Sequence, residues 1–211
     1  MSSRRLIVFA VGSPYAWDVV ESVRRTGADP VCVDNLGGAD PRLPGLTRTA
    51  PAGPFVLGLS SAEHRPAAAR AAREAGLDEP TVLVDPTSAV ASTATLGHGT
   101  YVNAGAVVAS HAALGCHVNV NRSVSLGHDN EIGFAASFGP GAVTAGGVRV
   151  GAAAFVGAGS TVLPDVSVGP GAVVGAGAVV TKDVAAGDVV VGNPARVVRT
   201  RAVEEQRCPH C

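Results

Sequence analysis

The sequence of 211 residues predicts two units of different architecture, a small α/β unit followed by a solenoid of short β-strands. A six-residue repeat that begins near Val84 predicts the solenoid, and alternating strand-like and helix-like segments before it predict the α/β unit. Composition points the same way, because 46% of the residues are hydrophobic, 4% are aromatic and 27 are glycine. That glycine content disfavours a helical bundle, and the hydrophobic fraction disfavours disorder.

The segments before the repeat alternate between continuous apolar runs and apolar residues at helical spacing. Apolar runs at residues 5–11, 30–33 and 55–59 predict strands. Residues 16–26 and 61–75 have helical spacing and end at glycine, which predicts two helices. Strands and helices in this order are typical of a small parallel sheet covered by helices.

The repeat itself is strict over about a hundred residues. Stepping by six from Val84 to Val180 gives a large apolar residue at sixteen of seventeen positions, and Thr144 is the exception. Four residues after each comes a small or β-branched side chain, with Asn130 as the exception. A large inward side chain, a small one near the turn and frequent glycine predict a triangular coil of three hexads. Seventeen hexads therefore predict five to six stacked coils.

The expected division of the chain is 1–81 for the α/β unit, 82–198 for the solenoid and 199–211 for a tail. The segment from Val197 onward is charged, and we expect it to be helical or frayed. It ends in Cys208-Pro209-His210-Cys211, which has the spacing of a zinc knuckle but no second pair beside it. A tail without fixed structure and a zinc site shared in an oligomer both stay open. Cys32 and Cys116 are expected to be packing residues.

Charge excludes some classes of partner. The formal net charge is −1, so no basic surface for nucleic acid or an anionic membrane is expected. No apolar stretch has the length of a membrane span, and the short apolar run after Met1–Leu6 is too short for a signal-peptide core. A cytoplasmic protein acting on small molecules is expected.

Three segments carry a resemblance to a known family: residues 126–133 (LGHDNEIG), 180–184 (VTKDV) and 192–196 (GNPAR). Together with the order of the two units, they resemble bacterial sugar acyltransferases of the sialic-acid O-acetyltransferase type, including the N-acetyltransferases of nucleotide-linked amino sugars. The resemblance covers about residues 4–200 and implies a Rossmann-like α/β domain followed by an all-β left-handed parallel β-helix. It also implies a homotrimer, with acyl-CoA between neighbouring β-helices and the acceptor between one N-terminal domain and the adjacent helix.

The resemblance implies a general base pair at His128 and Asp129. Imidazole is the side chain whose ordinary pKa suits proton abstraction near neutral pH, and a neighbouring carboxylate can hold it in position. Asn130, the break in the small-residue column, follows at once. An exposed corner histidine without a function is the alternative for His128.

The resemblance also supplies candidate binding residues. For CoA these are Gly146, whose amide is a candidate oxyanion donor, and Ala158, Ala176, Lys182 and Arg196. Solenoid geometry alone could account for the three small residues, and Lys182 could be a solvated cation. For the acceptor the candidates are Gly12, Ser13, Asp34, Asn35, Asn121 and Ser137.

The expected activity is transfer of an acyl group from acyl-CoA to an amine or hydroxyl of a sugar. Acetyl is the first candidate for the acyl group, and a nucleotide-linked sugar is a candidate acceptor. Acetyl-CoA is the expected co-substrate, and no metal is expected. A zinc site of the carbonic-anhydrase kind at His98, His111 and His117 is disfavoured, because the last two are one hexad apart and lie on different faces. Two alternatives remain, an acyltransferase for a non-sugar acceptor (an antibiotic amine or amino acid) and a non-catalytic β-helix binding or assembly module.

Overall fold

The computed structural model describes residues 4–211, so residues 1–3 of the predicted first unit lie outside the described residues. The N-terminal unit contains three strands and two helices: β1 (Arg5–Phe9), α1 (Ala16–Arg25), β2 (Asp29–Val33), β3 (Phe55–Leu57) and α2 (Arg65–Glu74). Its strands form a parallel sheet in the order β2-β1-β3. The predicted α/β order and parallel sheet are therefore confirmed.

The two helices cover opposite faces of this sheet. Leu6 and Val8 of β1 pack in one apolar cluster with residues of α1, while Ile7 and Phe9 pack in a second cluster with residues of α2. This division follows from the strand itself, because successive side chains point to opposite faces. The arrangement leaves the carboxyl ends of all three strands at one edge of the sheet.

The rest of the chain is a left-handed parallel β-helix of about six coils, as predicted. Its strands are short, and those from β4 to β20 follow the hexads: β4 (Leu83–Val84), β5 (Ala89–Val90), β6 (Thr95–Leu96), β7 (Tyr101–Val102), β8 (Val107–Val108), β9 (Ala113–Leu114), β10 (Asn119–Val120), β11 (Ser125–Leu126), β12 (Glu131–Ile132), β13 (Ser137–Phe138), β14 (Val143–Thr144), β15 (Arg149–Val150), β16 (Phe155–Val156), β17 (Thr161–Val162), β18 (Ser167–Val168), β19 (Val173–Val174) and β20 (Val179–Val180). Two longer strands follow, β21 (Asp188–Val191) and β22 (Arg196–Thr200). Partner strands from β4 to β20 are 18 residues apart, as in the pairing of Val102 with Val120.

The strands form three faces and three corners. Face 1 contains β4, β7, β10, β13, β16, β19, β21 and β22; face 2 contains β5, β8, β11, β14, β17 and β20; face 3 contains β6, β9, β12, β15 and β18. We call the turns from face 1 to face 2 the first corner, those from face 2 to face 3 the second corner, and those from face 3 back to face 1 the third corner. Residues 18 apart occupy the same place in successive coils, so each corner carries vertical columns of side chains.

The N-terminal unit docks on face 1. Tyr15 donates from its hydroxyl to Asn119 Oδ1 (2.9 Å), and Ser137 Oγ donates to the backbone oxygen of Ser60 (2.5 Å). Tyr101, on the same face, is fully buried against the cluster of α1. In the described part of the chain, neither helix hydrogen-bonds to face 2, and its Val107 and Val143 side chains are exposed.

The tail differs from the expectation of a helical or frayed segment. Arg196–Thr200 is strand β22, which pairs antiparallel with β21 and covers the open edge of the last coil. The chain then runs back along the third corner, where Val203 lies next to Gly171 and Gly187. The helical prediction was therefore wrong: these residues satisfy their backbone groups by extending a sheet. Among residues 4–211, neither helix has the length and apolarity that crossing a membrane requires.

Candidate active site

His128 and Asp129 stand together at the second corner, in the turn that follows β11. Asp129 has a φ of +56°, in the left-handed region that Asp tolerates better than most residues. The turn places its Oδ2 atom 2.7 Å from His128 Nδ1. Both side chains are open to solvent, with 69% and 61% of their surfaces exposed. Because the carboxylate can only accept, a neutral His128 ring in this contact carries its proton on Nδ1 and has the lone pair of Nε2 free.

Gly146 lies against the imidazole from the coil above. A Cβ atom at Gly146 would be 2.4 Å from His128 Cε1 and 2.5 Å from Nε2, so only glycine allows this contact. The neighbouring Gly147 N–H donates to the backbone oxygen of His128 (2.9 Å), which holds the two turns in register. Among residues 4–211 the Gly146 N–H has no hydrogen-bond acceptor, so it is available to a ligand.

The two exceptions to the repeat, Asn130 in this turn and Thr144 in the next coil, hydrogen-bond to each other in the interior of the β-helix. Asn130 is fully buried and donates from Nδ2 to Thr144 Oγ1 (2.8 Å). Its Oδ1 atom accepts the backbone N–H of Val148 (2.8 Å). Thr144 Oγ1 also accepts the backbone N–H of Gly127 (3.2 Å), the residue before His128. A polar network thus fastens both ends of the His128 turn to the next coil.

The candidate CoA residues fall at two different corners. Gly146 and Lys182 lie in the same corner column as His128, since 128, 146 and 182 differ by multiples of 18. With strands about 4.8 Å apart, Lys182 lies about 14 Å along the axis from His128. Ala158 and Ala176 are stacked at the first corner, where Gly177 N–H donates to the oxygen of Ala158 (2.8 Å).

Arg196 begins β22 and pairs with Val191 at the far end of the β-helix, on the side of the first corner. Within one chain, therefore, His128 is brought together with Gly146 and shares a column with Lys182. It is not brought together with Ala158, Ala176 or Arg196. Face 2 separates these two groups.

A cavity of about 430 Å³ lies at the carboxyl ends of the N-terminal strands. Three of the candidate acceptor residues, Gly12, Ser13 and Asn35, line it. This edge is where open α/β sheets usually bind ligands. Sequence reasoning missed Ser61 and His64, which line the cavity from the turn before α2; their position after the third strand was the signal that could have found them.

Asp34 has a different place from its neighbour Asn35. Its side chain is buried, and its two carboxylate oxygens accept the backbone N–H groups of Gly37 (2.7 Å) and Ala39 (3.1 Å). Asp34 thus shapes the loop after β2 and does not line the cavity.

Asn121 lies at the first corner and Ser137 lies on face 1, so both are away from His128. Ser137 is fully buried where the N-terminal unit docks, and its Oγ accepts from Asn119 Nδ2 (2.9 Å). Asn121 Oδ1 accepts the backbone N–H of Arg122 (2.8 Å). Neither residue lines the cavity at the ends of the N-terminal strands.

His111 is a neighbour of the pair that sequence reasoning did not connect with it. Its Nδ1 atom lies 3.9 Å from Asp129 Oδ1, which is too far for a hydrogen bond. The 18-residue register would have found it, because 111 and 129 differ by 18.

His117 lies at the third corner and is buried. Its burial, and to a lesser extent the charge of Arg65, lower its pKa to about 3.

Comparisons with known proteins agree with this architecture. Residues 147–182 match a family model described as bacterial transferase hexapeptide (six repeats). No curated protein matches the sequence. A mutant of perosamine N-acetyltransferase from Caulobacter crescentus, in complex with CoA and GDP-perosamine, is 27% identical with a TM-score of 0.80, covering 93% of this chain and 97% of that one.

Two further structures align with this chain over 93% of its length and over 100% of their own chains. The acetyltransferase domain of PglB from Neisseria gonorrhoeae, in complex with acetyl coenzyme A, is 28% identical with a TM-score of 0.84. WeeI from Acinetobacter baumannii, at 23% identity and a TM-score of 0.81, shows the shared fold alone. The comparisons confirm two predictions, the resemblance to left-handed β-helix sugar acyltransferases and the assignment of the chain to the acyltransferase class of enzymes.

Proposed function

We propose that this chain transfers an acetyl group from acetyl-CoA to the amine of a nucleotide-linked amino sugar, with His128 as the general base. The His128–Asp129 pair carries the proposal, because its 2.7 Å contact leaves Nε2 free on an exposed ring beside Gly146. The ligands of the Caulobacter and Neisseria structures support the choice of co-substrate and acceptor.

The residues of the second corner fit the steps of this transfer. Neutral His128 accepts a proton on Nε2 from the acceptor amine as its nitrogen attacks the thioester carbonyl carbon. A C–N bond forms, and the Gly146 N–H stabilises the negative charge on the carbonyl oxygen. When the C–S bond breaks, the imidazolium returns the proton to the CoA sulfur. Asp129 stabilises the imidazolium while it exists.

The separation of the candidate CoA residues supports a homotrimer. Gly146 and Lys182 border one edge of face 2, and Ala158 and Ala176 border the other. Val107 and Val143 on that face are 43% and 39% exposed, although they are large aliphatic side chains. A second copy packed here would cover them and bring the two corners of different subunits to one groove. Lys182 would then contact a CoA phosphate about 14 Å from the thioester.

The N-terminal unit is the proposed acceptor domain. Its parallel sheet and flanking helices fit the Rossmann-like class implied by the resemblance. The cavity is lined by residues that follow β1, β2 and β3 and by residues of α2, and none of its lining residues comes from the His128 turn. This supports an acceptor that reaches from the cavity of one subunit to His128 of another.

The test combines the purified protein with acetyl-CoA and a panel of nucleotide-linked amino sugars, GDP-perosamine among them, and detects the acetylated product by mass. We expect His128→Ala to lower kcat by about 10²- to 10⁴-fold. Its free energy of unfolding should hardly change, because 69% of the ring surface is exposed.

His111→Ala is the matched control, since this ring is 66% exposed and approaches the same carboxylate without a hydrogen bond. We expect it to change kcat by less than about threefold. An unchanged rate in His128→Ala would remove the proposed base. No turnover by the wild type with any amine or hydroxyl acceptor would favour the binding module instead.

A further inference from the structure

Four potential metal ligands converge where the C-terminal tail meets the third corner. His98 and Cys116 differ by 18 in sequence, so they occupy the same column in adjacent coils. The tail returns along this corner and brings Cys208 and Cys211 beside them. One ligand atom from each of the four residues lies within 4.8 Å of all the others.

We propose that this cluster binds one structural zinc ion that fastens the tail to the β-helix. The ligands are one imidazole nitrogen and three thiolates, from His98, Cys116, Cys208 and Cys211. This set is a known composition for closed, four-coordinate zinc sites, and two residues separate the tail cysteines as such sites usually require.

The distances agree with a tetrahedral site. Bond lengths of about 2.3 Å for Zn–S and about 2.05 Å for Zn–N give tetrahedral edges of about 3.6 Å for N···S and about 3.8 Å for S···S. His98 Nε2 is 3.5 Å from the sulfur of Cys208 and 3.5 Å from that of Cys211. The sulfurs of Cys116 and Cys211 are 3.2 Å apart, so that pair needs to open by about half an ångström around the ion.

A second cluster overlaps the first but is a weaker candidate. It contains His117, Cys208 and His210 and has one ligand fewer. His210 Nε2 donates to the backbone oxygen of Leu77 (3.1 Å), so its Nδ1 atom is free to accept from His117 Nε2 (3.3 Å). The lone pair of His210 Nδ1 is thereby occupied, and His117 Nε2 carries a proton in this contact, so neither nitrogen is free to bind a metal ion. Cys208 therefore belongs to the first cluster.

The ion would tie together three parts of the molecule. Next to the cluster, Arg65 of α2 is fully buried and donates from Nε to the backbone oxygen of His117 (2.8 Å). The tail itself contacts the N-terminal unit through His210 and through a 3.3 Å hydrogen bond from Arg70 to Gln206. Zinc at this point would hold the tail against both the β-helix and α2.

The role is structural because the site is closed by four protein ligands and lies at a different corner from His128. The proposal leaves the expectation of a metal-free acetyl transfer unchanged. It develops one of the two hypotheses for the Cys208–Cys211 motif, with the correction that all four ligands come from a single chain, so no oligomer is needed to complete the site.

The test uses the full chain expressed with zinc and purified under reducing conditions, with metal content measured by inductively coupled plasma mass spectrometry. We expect about one zinc ion per chain, and less than about a tenth in the double variant Cys208→Ser/Cys211→Ser. Cys32→Ala is the matched control, because Cys32 is buried in β2 and belongs to neither cluster. It should keep the full zinc content.

Cobalt substitution provides a second readout that does not depend on any variant. Cobalt bound by three thiolates and an imidazole in tetrahedral geometry should give intense visible and near-ultraviolet bands that zinc abolishes. Zinc content in the wild type no higher than in the double variant would overturn the proposal. So would a wild-type chain without cobalt bands, or one whose mass under non-denaturing conditions shows a disulfide between these cysteines in place of bound metal.

Discussion

Thr144→Val tests whether the repeat or the buried network decides stability at the second corner. Sixteen of seventeen positions in this column are large apolar residues, so valine restores the pattern of the repeat. From the pattern alone the variant should be neutral or stabilising, because it replaces a buried hydroxyl by a methyl of the same shape. Thr144 is 2% exposed, so a hydroxyl lost here is not replaced by solvent.

The structure predicts the opposite sign. Removing Thr144 Oγ1 leaves two donors without an acceptor, Asn130 Nδ2 at 2.8 Å and the Gly127 N–H at 3.2 Å. A buried donor left unpaired costs about 1–3 kcal/mol, while burying one more methyl recovers about 1 kcal/mol. With the fully buried Asn130 amide dominating, we expect a net loss of about 1–2 kcal/mol, measured as the shift in urea midpoint at constant m-value.

A double-mutant cycle with Asn130→Ala isolates the pair. Asn130→Ala alone should be destabilising, since it also removes the acceptor of the Val148 N–H. In that background Thr144→Val no longer leaves the Asn130 amide without an acceptor. The loss in the free energy of unfolding caused by Thr144→Val should therefore fall by about 1 kcal/mol or more. Additive effects, or a single Thr144→Val variant that is more stable than the wild type, would refute the reasoning.

Two other predictions concern the catalytic turn and the docking of the N-terminal unit. In Gly146→Ala the new methyl, 2.4 Å from the His128 ring, should push the exposed imidazole about 1 Å away and lower kcat about 100-fold; acetyl-transfer assays should show no further effect in a His128→Ala background. Asp85→Asn tests an ion pair: burial acts to raise the pKa of Asp85, but hydrogen bonds from Arg25, Ser22 and Thr87 outweigh it and lower the pKa to about 2. Because this folded value lies below the unfolded value of about 3.9, the stabilisation is complete above about pH 4 and is lost as the pH falls toward about 2. Urea unfolding at neutral pH should show a loss of about 2 kcal/mol in the free energy of unfolding of the variant. If the stability of the wild type fell no more than that of the variant between about pH 4 and pH 2, the assignment would be contradicted.

The repeat could be predicted from the sequence because the interior of each coil is filled by its own hexads. Every strand from β4 to β20 follows the six-residue spacing, and glycine marks the corners. The repeat therefore needs only local sequence and the geometry of parallel strands. Gly12 and Asn35, which the resemblance made acceptor candidates, follow β1 and β2 and line the cavity at the strand ends.

What could not be predicted depends on contacts that no local pattern encodes. Asn130 and Thr144 were visible as exceptions, but their pairing depends on the distance across a coil. Ser137 was assigned to the acceptor through the resemblance, whereas docking of the N-terminal unit buries it. Cys208 meets His98 across 110 residues, and only the return of the tail along the third corner brings them together.

The triangular coil also explains why chemistry and anchoring do not compete for the same residues. Inward positions are mostly apolar, and the polar groups of the His128 turn lie at a corner, where one side chain per coil recurs about every 4.8 Å. The N-terminal unit and tail occupy face 1 and the third corner, which leaves the second corner with His128 open to solvent. Within residues 4–211, neither helix nor the tail after Thr200 hydrogen-bonds to face 2, which lies between that corner and the stacked alanines at 158 and 176. An acetyl donor bound along the edge of this face would meet His128 without displacing any contact that holds the fold together.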